Sequence, residues 1–117
     1  MSAPLKLGIA GLGTVGSCVA RLIERERDAL AARCGRAIEV VAVSARSRSK
    51  KRDIGGGKLR WVADPVTLAT DSEIDVFVEL MGGEGDPARA AISAALAAKK
   101  SVVTANKALL EIGRAHV

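Results

Sequence analysis

The sequence predicts an α/β fold in which a parallel sheet is doubly wound by helices. Short apolar runs of strand length alternate with segments whose apolar residues recur every three or four positions, as on one face of a helix. This alternation is typical of parallel sheets covered on both faces. The chain has 117 residues, of which 49% are hydrophobic and 26% charged, so we expect one domain with a packed core.

Two strands and a long helix are predicted for the first part of the sheet. The first strand covers residues 5–10 and runs into a glycine-rich turn over residues 11–16. Helical spacing of apolar residues then continues to about Arg33, and Gly35 supplies a stop. The β-branched run IEVVAVS, residues 38–44, predicts the second strand.

The rest of the chain predicts two helices and three strands. Asp64-Pro65 is a helix start, because the carboxylate caps free N–H groups and proline needs none in the first turn. Asp86-Pro87 repeats this signal, and the helix that follows ends at Lys99-Lys100. The three strands are predicted over residues 58–62, 74–80 and 101–104.

The net charge of +5 comes from 18 Lys and Arg against 13 Asp and Glu. Seven of the basic residues but only one acid fall between Arg46 and Arg60, in a glycine-containing segment predicted to be a loop. Because Trp61 and Phe77 are the only aromatic residues, platforms for stacking single-stranded bases are scarce. No run of about 18 apolar residues predicts a membrane span. We therefore expect neither a nucleic-acid nor a membrane partner.

The two cysteines predict a reduced, cytoplasmic protein. Cys18 and Cys34 lie 16 residues apart on the predicted helix, a separation of about 24 Å. A disulfide requires Cα atoms within about 7 Å. Neither Cys18 nor His116 has partners at the spacing of a metal site, so no metal is expected.

The turn after the first strand carries the pattern G-x-G-x-x-G, as Gly11-Leu12-Gly13-Thr14-Val15-Gly16. It leaves a predicted strand and opens a predicted helix, which is the context of a Rossmann-type dinucleotide site. The first glycine permits the turn, the second lets the backbone approach a pyrophosphate, and the third allows close packing of helix on strand. Free N–H groups at the helix start favour phosphate. The alternative is a glycine-rich turn without a ligand.

The end of the second strand favours NADP(H), with NAD(H) possible. NAD-specific sites place Asp or Glu there to hold the ribose 2′-hydroxyl. Here residues 43–48 contain no acid, and Arg46 opens the basic segment. A guanidinium matches a 2′-phosphate in geometry and charge. The alternative is a solvated basic loop.

Two further segments end predicted strands at the same edge, where ligands of open α/β sheets bind. Glu79-Leu80-Met81-Gly82-Gly83 would let a cofactor lie against the backbone at Gly82, although the glycines alone are also an ordinary turn signal. Thr104-Ala105-Asn106-Lys107 ends the fifth strand. From the residues alone, a surface lysine is the better explanation of Lys107.

Three motifs together resemble homoserine dehydrogenase. They are residues 8–16 (GIAGLGTVG), 78–83 (VELMGG) and 102–110 (VVTANKALL). The resemblance implies interconversion of L-homoserine and L-aspartate 4-semialdehyde with a nicotinamide cofactor, on the route to threonine, methionine and isoleucine. It also implies that the Gly11 to Gly16 turn binds the diphosphate, Arg46 the 2′-phosphate, and that Thr104-Ala105 lies by the nicotinamide.

The resemblance further matches Lys107 to the family's active-site lysine. A cation near the substrate oxygen would stabilise the charge that develops when the hydroxyl proton leaves. The resemblance places a second lysine and the substrate-binding carboxylates in a later part of the family's chain. The full-length protein is expected to form homo-oligomers.

The domain prediction is an NAD(P)-binding domain over residues 1–110, incomplete at its C-terminal side and without a substrate domain. Residues 111–117, EIGRAHV, look foreign to the family and are predicted to be a non-native tail. Two rival functions stay open: another oxidoreductase of the same fold, and a basic nucleotide-binding regulatory or nucleic-acid module.

Overall fold

The computed structural model describes residues 3–45, 59–81 and 87–105. Within these ranges the strands are β1 (Leu5–Ala10), β2 (Ile38–Ser44), β3 (Arg60–Trp61), β4 (Val76–Glu79) and β5 (Ser101–Thr104). The helices there are α1 (Thr14–Arg25), α2 (Arg27–Cys34), α3 (Pro65–Ala69) and α4 (Ala88–Ala97).

The five strands form one sheet in the order β3-β2-β1-β4-β5, and every described pairing is parallel. The chain builds outward from β1 to β2 and β3, then returns to the other side of β1 for β4 and β5. This reversal places a topological switch point between β1 and β4, where open α/β sheets bind ligands. The predicted fold class, a Rossmann-type doubly wound parallel sheet, is confirmed.

Buried side chains lie on both faces of the sheet, as double winding requires. On one face α3 and α4 cover a core that includes Leu68, Phe77 and Ile92. On the other face α1 packs over Ile9 and Val43. Helices on both faces leave the strand ends as the exposed edges of the sheet.

The long helix predicted to reach Arg33 is two helices. α1 ends at Arg25, Glu26 departs from helical geometry with φ −99° and ψ 22°, and α2 follows with no buried residue. The break falls in the polar run at residues 24–28, which offers no apolar side chain to hold a helix against the sheet. The predicted stop is confirmed, because Gly35 caps α2 in the left-handed conformation with φ 77°.

The two predicted proline helix starts differ. At α3 the prediction is confirmed: an Asp64 carboxylate oxygen accepts a hydrogen bond from the Val66 N–H at 2.9 Å, and Pro65 is the first helical residue. At α4, Pro87 precedes the helix instead of opening it, and Asp86 lies outside the described residues. α4 ends at Ala97, and Lys99 turns the chain with φ 63°.

The predicted strand boundaries are confirmed for β1, β2 and β5. β3 and β4 are shorter than the predicted ranges of residues 58–62 and 74–80.

Cys18 and Cys34 are both free and exposed, as expected. Among the described residues, His, Cys, Asp and Glu form no group of three that could hold a metal. Within residues 3–45, 59–81 and 87–105, none of the helices has the length and apolarity needed to cross a membrane.

Candidate functional site

Four strands end in a single row at one edge of the sheet. Ala10 at the end of β1 pairs with Ser44 of β2 on one side and with Glu79 of β4 on the other. Glu79 in turn pairs with Thr104 of β5. All segments that the sequence singles out as functional therefore leave the sheet from neighbouring positions.

Gly11 lies where the ends of β1 and β4 approach each other. Its φ is +97°, and a Cβ added there would lie 2.7 Å from the Leu80 carbonyl group and the Met81 nitrogen. Its own N–H donates to the Ser44 carbonyl at 2.7 Å, which ties the turn to β2. The predicted tight turn is present, and only glycine fits it without strain.

Gly16 brings α1 against the turn. A Cβ at this position would overlap the Gly11 carbonyl oxygen. The predicted reason for the third glycine, close packing of helix on strand, is therefore visible as a direct backbone contact.

The start of α1 faces open space. Gly13 occupies the cap position, provides no side-chain hydrogen bond to the helix, and the first turn contains no acid. Among the described residues, a Cβ at Gly13 would meet no atom within 4 Å. The first N–H groups of a helix have no partners within the helix, and together with the helix dipole they attract an anion. The arrangement fits a phosphate group.

The side chains of Leu12 and Val15, both in the glycine turn, differ in exposure. The Leu12 side chain is buried in the core with 2% exposure, so it is not available to a ligand at this edge. Val15 is 58% exposed. Thr14 is the first residue of α1.

Ser17 is a residue of the turn region that the sequence analysis did not single out. Its buried hydroxyl donates to the Leu12 carbonyl at 2.9 Å, which links α1 to the glycine turn.

Glu79 is the other residue to which the sequence assigned no role. It has 0% exposure in the middle of the row of strand ends. Its carboxylate accepts from the Met81 N–H at 2.7 Å and from the Thr104 hydroxyl at 2.5 Å. The available signal was an acid inside an otherwise apolar strand, because a buried acid requires nearby donors.

The remaining predicted site residues divide into two groups. Thr104 is half-buried, and Ala105 is exposed just beyond β5, with its N–H donating to the Glu79 carbonyl at 3.2 Å. Both belong to the row of strand ends. Arg46, Gly82 and Lys107 lie outside the described residues, although they follow Ser44, Met81 and Thr104 closely in the sequence.

The sequence matches the family "Homoserine dehydrogenase, NAD binding domain" over residues 11–116. This chain belongs to that family. It is 43% identical over 109 residues to homoserine dehydrogenase of Pseudomonas aeruginosa, covering 93% of this chain and 24% of that protein. It is 42% identical over 108 residues to homoserine dehydrogenase of Synechocystis, covering 91% of this chain and 24% of the relative.

Solved structures agree with the family. A homoserine dehydrogenase from Thiobacillus denitrificans superimposes with a TM-score of 0.84 at 36% identity, covering 97% of this chain and 26% of the other. A biliverdin reductase from Synechocystis, at 20% identity and a TM-score of 0.70, shares the fold alone.

Family membership indicates a nicotinamide dinucleotide as the cofactor. The relatives named homoserine dehydrogenase are oxidoreductases, and this chain spans about a quarter of their length. The resemblance found in the three sequence motifs is thus confirmed.

Proposed function

We propose that this chain is the NADP(H)-binding part of a cytoplasmic homoserine dehydrogenase, whose complete form interconverts L-homoserine and L-aspartate 4-semialdehyde in amino-acid biosynthesis. The observation that supports it best is the turn at the switch point. There, Gly11 and Gly16 are required by the protein's own packing, whereas Gly13 faces open space beside an uncapped helix start. The described packing leaves room for a side chain at Gly13, and the absence of one allows a diphosphate to approach the backbone closely.

The cofactor follows the row of strand ends in this proposal. The main chain of residues 11–16 binds the diphosphate, and Arg46, two residues beyond β2, binds the 2′-phosphate. Gly82, beyond β4, and Thr104-Ala105, beyond β5, border the ribose and nicotinamide. The bound nicotinamide would supply the hydride acceptor or donor.

Lys107 provides the positive charge near the substrate oxygen. It follows Thr104 by three residues, and Thr104 ends β5 at the same edge as the cofactor turn. Its ammonium group would stabilise negative charge on the oxygen as the hydroxyl proton leaves. Exclusion of water from this edge would strengthen that interaction.

The cofactor assignment is tested by titrating the 117-residue chain with NADPH, NADH and duplex DNA. We expect NADPH to bind most tightly. Arg46→Ala should weaken NADPH by about tenfold or more, because a charge-assisted contact to the 2′-phosphate is lost, and should change NADH little. Arg89→Ala, an exposed arginine on α4, is the matched control.

Equal losses for NADPH and NADH in Arg46→Ala would contradict the role of this residue. DNA binding without preference for either cofactor would favour the rival nucleic-acid module. Binding of NADH alone would leave the fold assignment intact and reject NADP(H).

A further inference from the structure

Glu79 is a buried acid that cofactor binding through the glycine turn does not use. It is fully buried, and it sits between the switch point and the end of β5. Its two hydrogen-bond donors in the described part of the chain are the Met81 N–H and the Thr104 hydroxyl, and neither carries a charge. Burying an acid costs free energy, so its retention at this edge calls for a local reason.

The geometry fixes the direction of the bond between Thr104 and Glu79. The Thr104 Oγ1 to Glu79 Oε1 distance is 2.5 Å, and the Met81 N to Glu79 Oε2 distance is 2.7 Å. Both lie at the short values found when a carboxylate is the acceptor. The Thr104 hydroxyl is the donor in its bond to Glu79, and a hydroxyl has a single proton to give. The Thr104 proton is therefore directed at Glu79.

This direction determines what else Thr104 can bind. With its proton committed, Oγ1 offers only lone pairs to any further partner, so it selects a donor. Thr104 lies in the row of strand ends with its side chain half-buried, next to the exposed Ala105. The carboxamide of a nicotinamide carries an NH2 donor and a carbonyl acceptor, and its orientation sets which face of the ring meets the substrate.

We propose that Glu79 is a positioning residue that holds the Thr104 hydroxyl as an acceptor for the carboxamide NH2 of the nicotinamide. This rests on the proposed function, since it requires the nicotinamide to lie beside Thr104. Glu79 itself stays beneath the edge and does not touch the cofactor. It acts by fixing the direction of the hydrogen bond made by the Thr104 hydroxyl, which does touch the cofactor in this proposal.

The variant Glu79→Gln tests the direction of the hydrogen bond between residues 79 and 104. The glutamine Oε1 can still accept from the Met81 N–H, but its amide nitrogen donates where the carboxylate accepted. The bond to Thr104 is then kept with its direction reversed, and the Thr104 hydroxyl presents a proton to the cofactor. Packing is nearly unchanged because the two side chains have almost the same shape.

The experiment compares three probes on the 117-residue chain and its variants. NADP⁺ contains the carboxamide. Its 3-acetylpyridine analogue lacks the NH2 donor, and adenosine 2′,5′-bisphosphate lacks the pyridine ring altogether. For the wild type we expect NADP⁺ to bind about 3- to 10-fold more tightly than the acetylpyridine analogue, the range of a single hydrogen bond.

In Glu79→Gln this preference should disappear or reverse, while the affinity for adenosine 2′,5′-bisphosphate stays within about twofold. Thr104→Val should lose the preference in the same way, and Thr104→Ser should keep it. The two threonine variants repeat the test without altering the carboxyl group, so a folding defect in Glu79→Gln does not block it.

An unchanged preference in Glu79→Gln and Thr104→Val would overturn the positioning role, as would equal losses for all three probes. Either result would leave the cofactor proposal standing. Failure of the wild type to bind NADP⁺, NADPH and NADH would reject the proposed function itself.

Discussion

Two glycines of the same turn have different surroundings. At Gly16 a Cβ would overlap the Gly11 carbonyl oxygen, so the protein's own packing excludes any side chain. At Gly13 a Cβ would meet nothing within 4 Å in the part of the chain that the structure describes. Glycine is a favoured residue at a helix cap, and its lack of a side chain also leaves the backbone there open to an approaching group.

Alanine at each position separates the effects of the two glycines. Gly16→Ala should destabilise the fold by about 2–3 kcal/mol, because the cost of overpacking exceeds the helix-propensity gain of about 1 kcal/mol. Gly13→Ala should cost less than about 1 kcal/mol and weaken NADPH binding by at least about tenfold. Urea unfolding and cofactor titration measure the two effects. Unchanged NADPH affinity in Gly13→Ala would argue against phosphate binding at this helix start.

At the scale of elements, α3 is short and depends on its cap. It has five residues, yet it buries Leu68 and Ala69 in the core. A helix of this length gains little from its own hydrogen bonds, so the bond from the Val66 N–H to Asp64 matters more than in a long helix.

Asp64→Ala should therefore destabilise the chain by about 1 kcal/mol, whereas Asp64→Asn or Asp64→Ser should retain most of the stability. Thermal unfolding of the three variants against the wild type measures this. A loss as large in the serine variant as in the alanine variant would show that the cap is not the cause.

An ion pair joins β3 to the segment after α3. Arg60 donates to an Asp71 carboxylate oxygen at 2.7 Å, and the Glu73 N–H donates to the other oxygen at 2.8 Å. Burial by itself would raise the pKa of Asp71. The bonds from Glu73 and Arg60 and the charges of Arg60 and Lys100 outweigh burial, and the pKa falls below its usual 3.8.

Because the pKa of Asp71 is lowered by folding, its contribution to stability is complete above the unfolded pKa and is lost as the pH falls through the folded pKa. We expect stability to decrease below about pH 4, and less steeply in Asp71→Asn. The difference should stay below about 1 kcal/mol, since Arg60 is half-exposed. Unfolding at several pH values measures it, and Glu24→Gln, which removes an exposed pair, is the control. Identical pH profiles for wild type and Asp71→Asn would contradict this assignment.

At the scale of the whole molecule, the chain supplies a cofactor edge and spans about a quarter of its homoserine dehydrogenase relatives. We expect the 117 residues alone to bind cofactor without oxidising homoserine, because the family resemblance places a second lysine and the substrate carboxylates in later sequence. The measurement is NADPH formation from homoserine and NADP⁺. Turnover above the level of Lys107→Ala would contradict this expectation.

The order of elements was predictable because it depends on local patterns. Residues 38–44 are rich in β-branched side chains, Asp64 caps the helix that begins at Pro65, and Gly35 permits a left-handed turn. The break at Glu26 was not predicted, because apolar residues at helical spacing occur on both sides of the polar run at residues 24–28. That run does not contact the core. The tight turn at Gly11 was predictable from its motif, but the burial of the Leu12 side chain became evident only in the packed core.

The sequence by itself determined the fold class, the glycine turn and the family. These depend on the spacing of apolar residues within each element and on motifs of contiguous residues. The tertiary structure decided which strand ends become neighbours. Glu79 and Thr104 are 25 residues apart in sequence but form a 2.5 Å hydrogen bond, and the Cβ that Gly16 lacks would overlap Gly11. Such contacts follow from strand order and helix packing, which depend on the balance of burial across the whole domain and not on any one segment.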